Sequence, residues 1–384
     1  MKVLLIRFGG IGDTFPVMVA AQVLKKRGHE VTVALRDDGA ATRQTELFRN
    51  QTDFTFMDME EIGPWKSRVV EFKGGLIEPW ALFKNYDLVV DFMGVVENNS
   101  TSPVNNLKDP WEFWQRSRNS NYVNWYDLHL AWCNINPETV DDEDKRPFLS
   151  LTNEEKNAAN NLKSDYSKIF VISPFASSLS RSWYQAEKLV DPILKSYDNA
   201  AVAFWNPARS SWDLTTKQGR GQLPKLTFNP LRETMALIAA SDLVVSVDTG
   251  AGHMAEALDK KSLVIYSTVP AWTRNKYYKY QTAIDPTLNT PEYATFSLGL
   301  GDPLRVKEGV SNLTERENIL KGFIDRRAPL PEVMEALNTD KRGVDLEAQM
   351  LVSKVEAWER QQSKALSGIK PEFVFERIKE IVHD

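Results

Sequence analysis

Cysteine is almost absent from this chain. Its 384 residues include one, Cys133, so no disulfide can form within it, and the composition fits a cytoplasmic protein. Histidine is scarce too. His29, His129, His253 and His383 are scattered singly, which argues against a Cys/His zinc site. An excess of basic residues is also missing: 47 Lys and Arg against 52 Asp and Glu give a net charge of -5. That balance offers no general attraction for nucleic acid or anionic lipid, though it leaves a local basic face open. Long apolar runs are lacking. The opening MKVLLIRFGG is too short for a signal peptide, and nothing approaches a membrane span. No internal repeat or long low-complexity tract occurs. What the chain does have is core material, with 42% hydrophobic residues, 11 Trp, 18 Phe and 11 Tyr. At this length two domains are expected.

The stretch Ser241 to Leu258, SDLVVSVDTGAGHMAEAL, organises the rest. Leu243 to Val247 reads as a buried strand, Asp248-Thr249-Gly250 as a sharp turn, and Ala251 to Leu258 as a small-residue helix. A strand entering a helix this way leaves N–H donors at the positive end of the helix dipole, a place for phosphate. An ordinary turn, with Thr249 as N-cap and His253 packed on the sheet, accounts for the same residues.

The chain opens with a strand at Lys2 to Phe8, a glycine-rich turn (Gly9, Gly10, Gly12, Asp13), a helix from Phe15 to Arg27 and a strand at Glu30 to Leu35. This is a β-α-β unit and predicts a parallel sheet. The turn is neither a dinucleotide fingerprint, since Phe15 stands where the third glycine belongs, nor a P-loop, since no Lys-Ser/Thr follows. Strands are predicted at Thr55 to Met59 and Leu88 to Asp91, and a helix at Pro79 to Lys84. Residues 95–135 then become rich in Asn, Trp and Arg, including Trp111, Trp114, Arg116, Arg118, Trp125, Tyr126 and Trp132. Pro137 to Pro147 reads as an exposed charged loop, whose D-x-D is a solvated run rather than a metal site.

A second α/β series follows. Helices are predicted at Leu151 to Lys163, capped by Thr152, at Trp183 to Leu194 and at Leu231 to Ala240. Strands are predicted at Ile169 to Ile172, Ala200 to Phe204, Lys225 to Thr227 and Leu263 to Ser267. Two doubly wound domains, 1–160 and 161–340, thus face one another, and ligands sit beyond the strand carboxyl ends, in the cleft between them. Amphipathic stretches at Val344 to Leu366 and Pro371 to Val382 form a C-terminal helical segment, 341–384, expected to pack back on the N-terminal domain.

Several stretches together resemble the ADP-heptose:lipopolysaccharide heptosyltransferases, glycosyltransferase family 9. They are MKVLLIRFGGIGD with Pro16, YDLVVDFMG, Arg181-x-Trp183 after Ser173-Pro174, and SDLVVSVDTGAGHMAEALDKKSLVIY. The resemblance spans about residues 1–275 and implies a GT-B fold, a nucleotide-diphosphate sugar and inversion without a metal. It makes Asp13 the general base and Thr249 and Gly250 the diphosphate turn that Asp248 opens. It also places His253 at the D-[ST]-G-x-x-H position and Arg181 at a site usually held by Lys. Residues 95–135 and the region after Trp272 depart from the family.

The residues support this chemistry on their own terms. Asp13 can take a proton from an acceptor hydroxyl. The N–H groups of Gly250 to Gly252 and Arg181, with Arg274 or Lys276, can stabilise a departing diphosphate. Capping of the first helix is the structural alternative for Asp13. His253 is expected to orient the turn or touch phosphate, and Glu256 to face solvent. Trp111, Trp114, Arg116 and Arg118 are expected at the acceptor site. Three functions are open: a transferase acting on lipopolysaccharide core or another glycan; a bacteriophage-type DNA glycosyltransferase, favoured by the aromatic-and-arginine insert and Lys276-Tyr277-Tyr278-Lys279-Tyr280; or a non-catalytic nucleotide-sugar binding protein. No cofactor or metal is expected, and the protein is expected to be a monomer in the cytoplasm, peripheral at the inner membrane or in host cytoplasm if phage-encoded.

Overall fold

The structure, a computed structural model, describes residues 1–7, 10–35, 44–48, 50–51, 53–58, 85–92, 124–176, 181–206, 211–222, 230–266, 271–285, 366 and 368–383. In chain order its elements are β1 (Lys2–Ile6), α1 (Ile11–Lys26), β2 (Glu30–Leu35), α2 (Gln44–Leu47), β3 (Thr55–Asp58), β4 (Leu88–Asp91) and α3 (Trp125–Trp132). There follow α4 (Asn153–Asp165), β5 (Lys168–Ser173), α5 (Val190–Ser196), β6 (Ala200–Asn206), β7 (Ser211–Thr216), β8 (Gly219–Gln222), α6 (Pro230–Ala240) and β9 (Leu243–Val247). The last are α7 (Gly250–Ala257), β10 (Ser262–Ile265), α8 (Trp272–Asn275), β11 (Gln281–Ile284) and α9 (Pro371–His383).

Two sheets result. The first runs β3-β2-β1-β4, all parallel. The second runs β11-β10-β9-β5-β6-β7-β8, parallel except for the antiparallel β6-β7-β8 edge. Strand order reverses between β1 and β4 in the first and between β5 and β9 in the second. Those crevices are where an open α/β sheet receives its ligands. The α/β, doubly wound architecture expected from the sequence is therefore present, in the two-sheet arrangement of a GT-B fold.

Successive strand side chains point to opposite faces, and here both faces are buried. Ile169 and Val171 join α1, α4, α6 and α7 in one core, through Phe15, Val17, Ala159, Leu162, Met235 and Met254. The first sheet's Val3 and Leu5 lie in that same core, so the two units share an apolar interior. Phe170, Ile172, Leu243 and Val245 form a second core on the opposite face.

That second core corrects one expectation. Among the described residues helix α9 packs on the second sheet and not on the N-terminal unit. Its Val374 and Ile378 bury on the outer face of the second sheet. There the Trp183 indole donates to the Ile369 carbonyl at 3.1 Å, and Lys261 Nζ donates to the Ile381 carbonyl at 2.9 Å. The physical reason is that this sheet face is apolar and would otherwise lie bare. The stretch Val344 to Leu366 lies outside the described residues except for Leu366, which joins the same core. Helix α4 carries the expected Thr152 cap as a capping box with Glu155. It spans the expected boundary at residue 160 and packs through Ala159 and Leu162 into the core shared with α6.

The charged segment 137–147 joins the two units. Lys26 pairs with Asp144, and Arg27 donates to Thr139 Oγ1 at 3.1 Å. Arg146 reaches the other way, with Nη2 2.8 Å from Glu256 Oε1 and 2.9 Å from Asp259 Oδ1. Glu256 is fully buried, contrary to the solvent-facing position expected for it. The helical spacing was legible, but the Arg146 guanidinium and the N–H groups of Lys279 and Tyr280, at 2.8 and 2.9 Å, come from outside its helix. Replacing Glu256→Ala leaves Arg146 short of a buried partner and orphans both N–H groups. We expect a loss of about 3–5 kcal/mol in urea unfolding, and a loss below about 1 kcal/mol would show that the clasp is dispensable.

Candidate active site

Arg7, whose side chain is fully buried, follows directly on strand β1. Nη1 donates to the Phe92 carbonyl at 2.8 Å, bridging the β1/β4 crevice. Nη2 lies 3.3 Å from Asp13 Oδ2. Asp13, in the first turn of α1, also accepts the Gly10 N–H on Oδ2 at 2.7 Å. It thus caps the helix, as the structural alternative predicted, while Oδ1 is engaged by neither contact. Burial pushes this carboxyl up, but Arg7, the Gly10 N–H and Arg274 outweigh it and hold it below its ordinary value. Asp13 is therefore ionised at neutral pH.

The second turn is built at the end of β9. Asp248 is buried, and Thr249 occupies the N-cap position of α7 without bonding through its side chain. Thr249 Oγ1 is buried with no hydrogen-bond partner among the described residues. The Gly252 N–H bonds the Thr249 carbonyl at 3.1 Å, leaving Gly250 and Ala251 as the first-turn donors without an intrahelical acceptor. Gly252 lets the helix settle on the sheet, since a Cβ there would meet Val264 Cγ2 at 3.0 Å.

These two helix N-termini touch. A Cβ on Gly250 would lie 2.9 Å from Ile11 Cγ2, and one on Gly12 would lie 3.0 Å from His253 Cδ2. Neither glycine has a positive φ, so close approach is what each position requires. Two arginines of the second unit complete the group. Arg181 Nη1 lies 3.9 Å from Asp248 Oδ2 with its side chain 31% exposed. Arg274 is buried over the Trp125 ring of α3; burial lowers its guanidinium to about 10, and it stays charged at neutral pH. His253 is buried. Its Nδ1 bonds Tyr278 Oη, and its Nε2 stands 4.0 Å from Asp248 Oδ1. Burial holds its pKa below the ordinary value.

The tertiary structure thus brings Gly10, Gly12, Asp13, Arg181, Asp248, Thr249, Gly250, His253 and Arg274 into one seam. Gly9, Trp111, Trp114, Arg116 and Arg118 lie outside the described residues. Trp125, Tyr126 and Trp132 are buried on α3 and act as core. Lys276 stays outside the seam, 3.0 Å from Asp127 Oδ2. In the Lys276 to Tyr280 run Tyr277 is buried and Tyr278 half-buried, while Lys276, Lys279 and Tyr280 are exposed. Tyr277 Oη donates to Asp127 Oδ1 at 2.5 Å, Tyr278 bonds His253 and Tyr126, and Lys279 pairs with Glu143. In the charged loop Asp142, Glu143 and Asp144 pair with Lys145, Arg146 and Lys26. Among the described residues no group of three His, Cys, Asp or Glu could hold a metal ion, and no helix is long and apolar enough to cross a membrane.

Sequence reasoning missed Arg7, His129 and the Tyr126–Tyr278 pair. A charged residue closing the apolar run Val3 to Ile6 was a usable signal for Arg7; the others had none. His129 lies in α3, stacked on Phe92 with ring centroids 4.9 Å apart, and Nδ1 bonds the Trp125 carbonyl at 2.7 Å. Burial drives its pKa down to about 3. Between about 6.5 and 3 the unfolded chain binds a proton that the folded chain excludes, so stability falls as the pH drops through that window, by roughly 1.4 kcal/mol per pH unit. Urea unfolding from pH 7 to pH 4 should show this slope and a shallower one in His129→Phe. Equal slopes would remove His129 as the cause.

Residues 138–295 match the family model for glycosyltransferase family 9 (heptosyltransferase). Among curated proteins none matches this chain in sequence. Solved structures give distant likenesses. A glycosyltransferase family 9 protein of Veillonella parvula is 10% identical, with a TM-score of 0.49, over 79% of this chain and 94% of that one. The ADP-heptose lps heptosyltransferase II of E. coli is 15% identical, with a TM-score of 0.47, over 74% and 90%. An iron-containing dodecameric glycosyltransferase, TibC, of enterotoxigenic E. coli is 12% identical, with a TM-score of 0.43, over 73% and 63%. The stretch matching the family model holds Arg181, the Asp248 to His253 turn and Arg274, and there the resemblance to glycosyltransferase family 9 read from the sequence is borne out.

Proposed function

We propose that this chain is an inverting glycosyltransferase that moves a sugar from a nucleoside-diphosphate sugar to an acceptor hydroxyl, most readily that of a glycan, without a metal ion. One observation carries the proposal. An ionised carboxylate, Asp13, meets a helix N-terminus flanked by Arg181 and Arg274 across a single seam. The family 9 match supports the donor class.

In this reading Asp13 Oδ1 takes the proton of the acceptor hydroxyl. The hydroxyl oxygen forms its bond to the anomeric carbon from the face opposite the diphosphate, and the carbon–diphosphate bond breaks with its electron pair. A carboxylate held below its ordinary pKa is a weak base toward a free alcohol. The proton therefore moves late, once the attacking oxygen is bonding to carbon and has become acidic. Charge developing on the diphosphate is stabilised by the Gly250 and Ala251 N–H groups, Arg181 and Arg274. Thr249 Oγ1, buried with no hydrogen-bond partner among the described residues, is a further donor for the same oxygens. The DNA reading draws less support from Lys276 to Tyr280, since Tyr277 and Tyr278 bond within the protein and Lys276 and Lys279 pair with Asp127 and Glu143 at the surface.

Asp13→Asn should lower transfer of a labelled donor by about 10²–10⁴-fold and leave nucleotide affinity within a few-fold. It should also lower the melting temperature, because buried Arg7 loses its counter-charge. Near wild-type turnover with intact nucleotide binding would disprove the base assignment.

Arg181→Ala should weaken donor binding by about 1.5–3 kcal/mol, the worth of a charge-assisted hydrogen bond, measured by calorimetry with the nucleotide product. Transfer should persist in excess EDTA. Loss on chelation and recovery with a divalent ion would overturn the metal-free mechanism.

A further inference from the structure

Three polar side chains from both units form a hydrogen-bonded chain: buried Tyr126 of α3, half-buried Tyr278 after α8, and buried His253 of α7. Tyr126 Oη and Tyr278 Oη are 2.6 Å apart, and Tyr278 Oη bonds His253 Nδ1. The phenol rings meet edge to face at 5.9 Å, and Tyr278 meets the imidazole in the same way at 5.9 Å. Burial holds both phenols well above their ordinary pKa, so each carries its proton.

Counting those protons gives the chain a direction. Tyr126 is 1% exposed, and among the described residues its Oη has no hydrogen-bond partner except Tyr278. If Tyr278 donated to Tyr126, the Tyr126 proton would be left buried without an acceptor, a costly state for a hydroxyl. With Tyr126 donating to Tyr278 and Tyr278 donating to His253 Nδ1, both protons are satisfied. The imidazole then accepts at Nδ1 and carries its own hydrogen on Nε2.

That nitrogen faces the seam. A Cβ on Gly12 would lie 3.2 Å from His253 Nε2, and Asp248 Oδ1, at 4.0 Å, is beyond hydrogen-bond reach. We infer that Tyr278 is a positioning residue, which with Tyr126 holds His253 as the Nε2–H tautomer so that it donates to an oxygen of a nucleoside diphosphate at the Gly250 turn. The inference rests on the donor site proposed above, and it ties that hydrogen bond to contact between the units, since Tyr126 comes from α3 and the other two from the second.

Long-range proton–nitrogen NMR on the ¹⁵N-labelled full chain reads the tautomer directly, without substrate. The His253 signal is assigned by its loss in His253→Gln. The wild type should show Nε2–H. Tyr126→Phe should show a mixture, because without the Tyr126 proton to accept Tyr278 is free to accept from Nδ1–H instead of donating to Nδ1. Tyr278→Phe should show a mixture or Nδ1–H, and should weaken ADP or UDP binding about tenfold, of the order of one hydrogen bond to a charged group. An Nδ1–H wild type would overturn the inference, as would a Tyr278→Phe protein with the wild-type tautomer and affinity. If Tyr278→Phe fails to fold, the wild-type tautomer decides alone, Nε2–H for and Nδ1–H against. Wild type binding neither nucleotide would defeat the donor reading, and with it the role of the donated hydrogen, whatever the tautomer.

Discussion

Contact between the N-termini of α1 and α7 is the constraint on which the rest depends. Each end carries unsatisfied N–H groups and the positive pole of a helix dipole. Bringing two such ends together is tolerable only where negative charge lies between them and no side chain intervenes. Asp13 and Asp248 provide the charge. Gly12 and Gly250 provide the space, since a Cβ on either would meet His253 or Ile11 at 3.0 Å or less. The glycine-rich turn and the D-T-G turn, far apart in the chain, thus answer one packing problem.

A seam of this kind needs a rigid frame, and the frame is both polar and apolar. Beneath it the two units share a continuous core, in which Phe15 and Val17 of α1 lie with Ala251 and Met254 of α7. Around it, buried ion pairs span the units. Arg232 of α6 is fixed by Glu155 of α4 and donates to the carbonyl of Leu47, the last residue of α2, at 2.9 Å. Arg146 and Glu256 clamp the opposite side. Such pairs contribute little net stability over an apolar substitute, yet they are costly to break singly, so they specify how the units dock. Helix α3 docks through Trp125 against Arg274 and through Asn124, whose Nδ2 donates to the Trp272 carbonyl at 2.9 Å.

Much of this was legible in the residues. The strands β1, β2, β4, β5, β6 and β9 are apolar runs, and the Thr152 capping box marks α4 by its own chemistry. The antiparallel hairpin β7–β8 was not legible. Gly219 to Gln222 carries no apolar alternation and is a strand only because β7 lies open beside it. Helix α3 was equally hidden, because its aromatic residues sit in a stretch rich in polar and charged ones, and contact with α1 and the 272–280 segment decides its form.

The sequence by itself determined the two turns, the identities of Asp13, Arg181, Asp248, Thr249 and His253, and an α/β fold of parallel sheets. The turns and the fold follow from local periodicity, and the named residues from what the resemblance to glycosyltransferase family 9 implies. Only the tertiary structure decided that Glu256 is buried and that Tyr277 and Tyr278 turn into the protein, that α9 covers the second sheet, and that Arg7 and Tyr278 flank the seam. The reason is the same in each case. A polar or charged side chain looks solvent-facing until its partner is known, and here the partners lie as far as 186 positions away, as Ile369 does from Trp183.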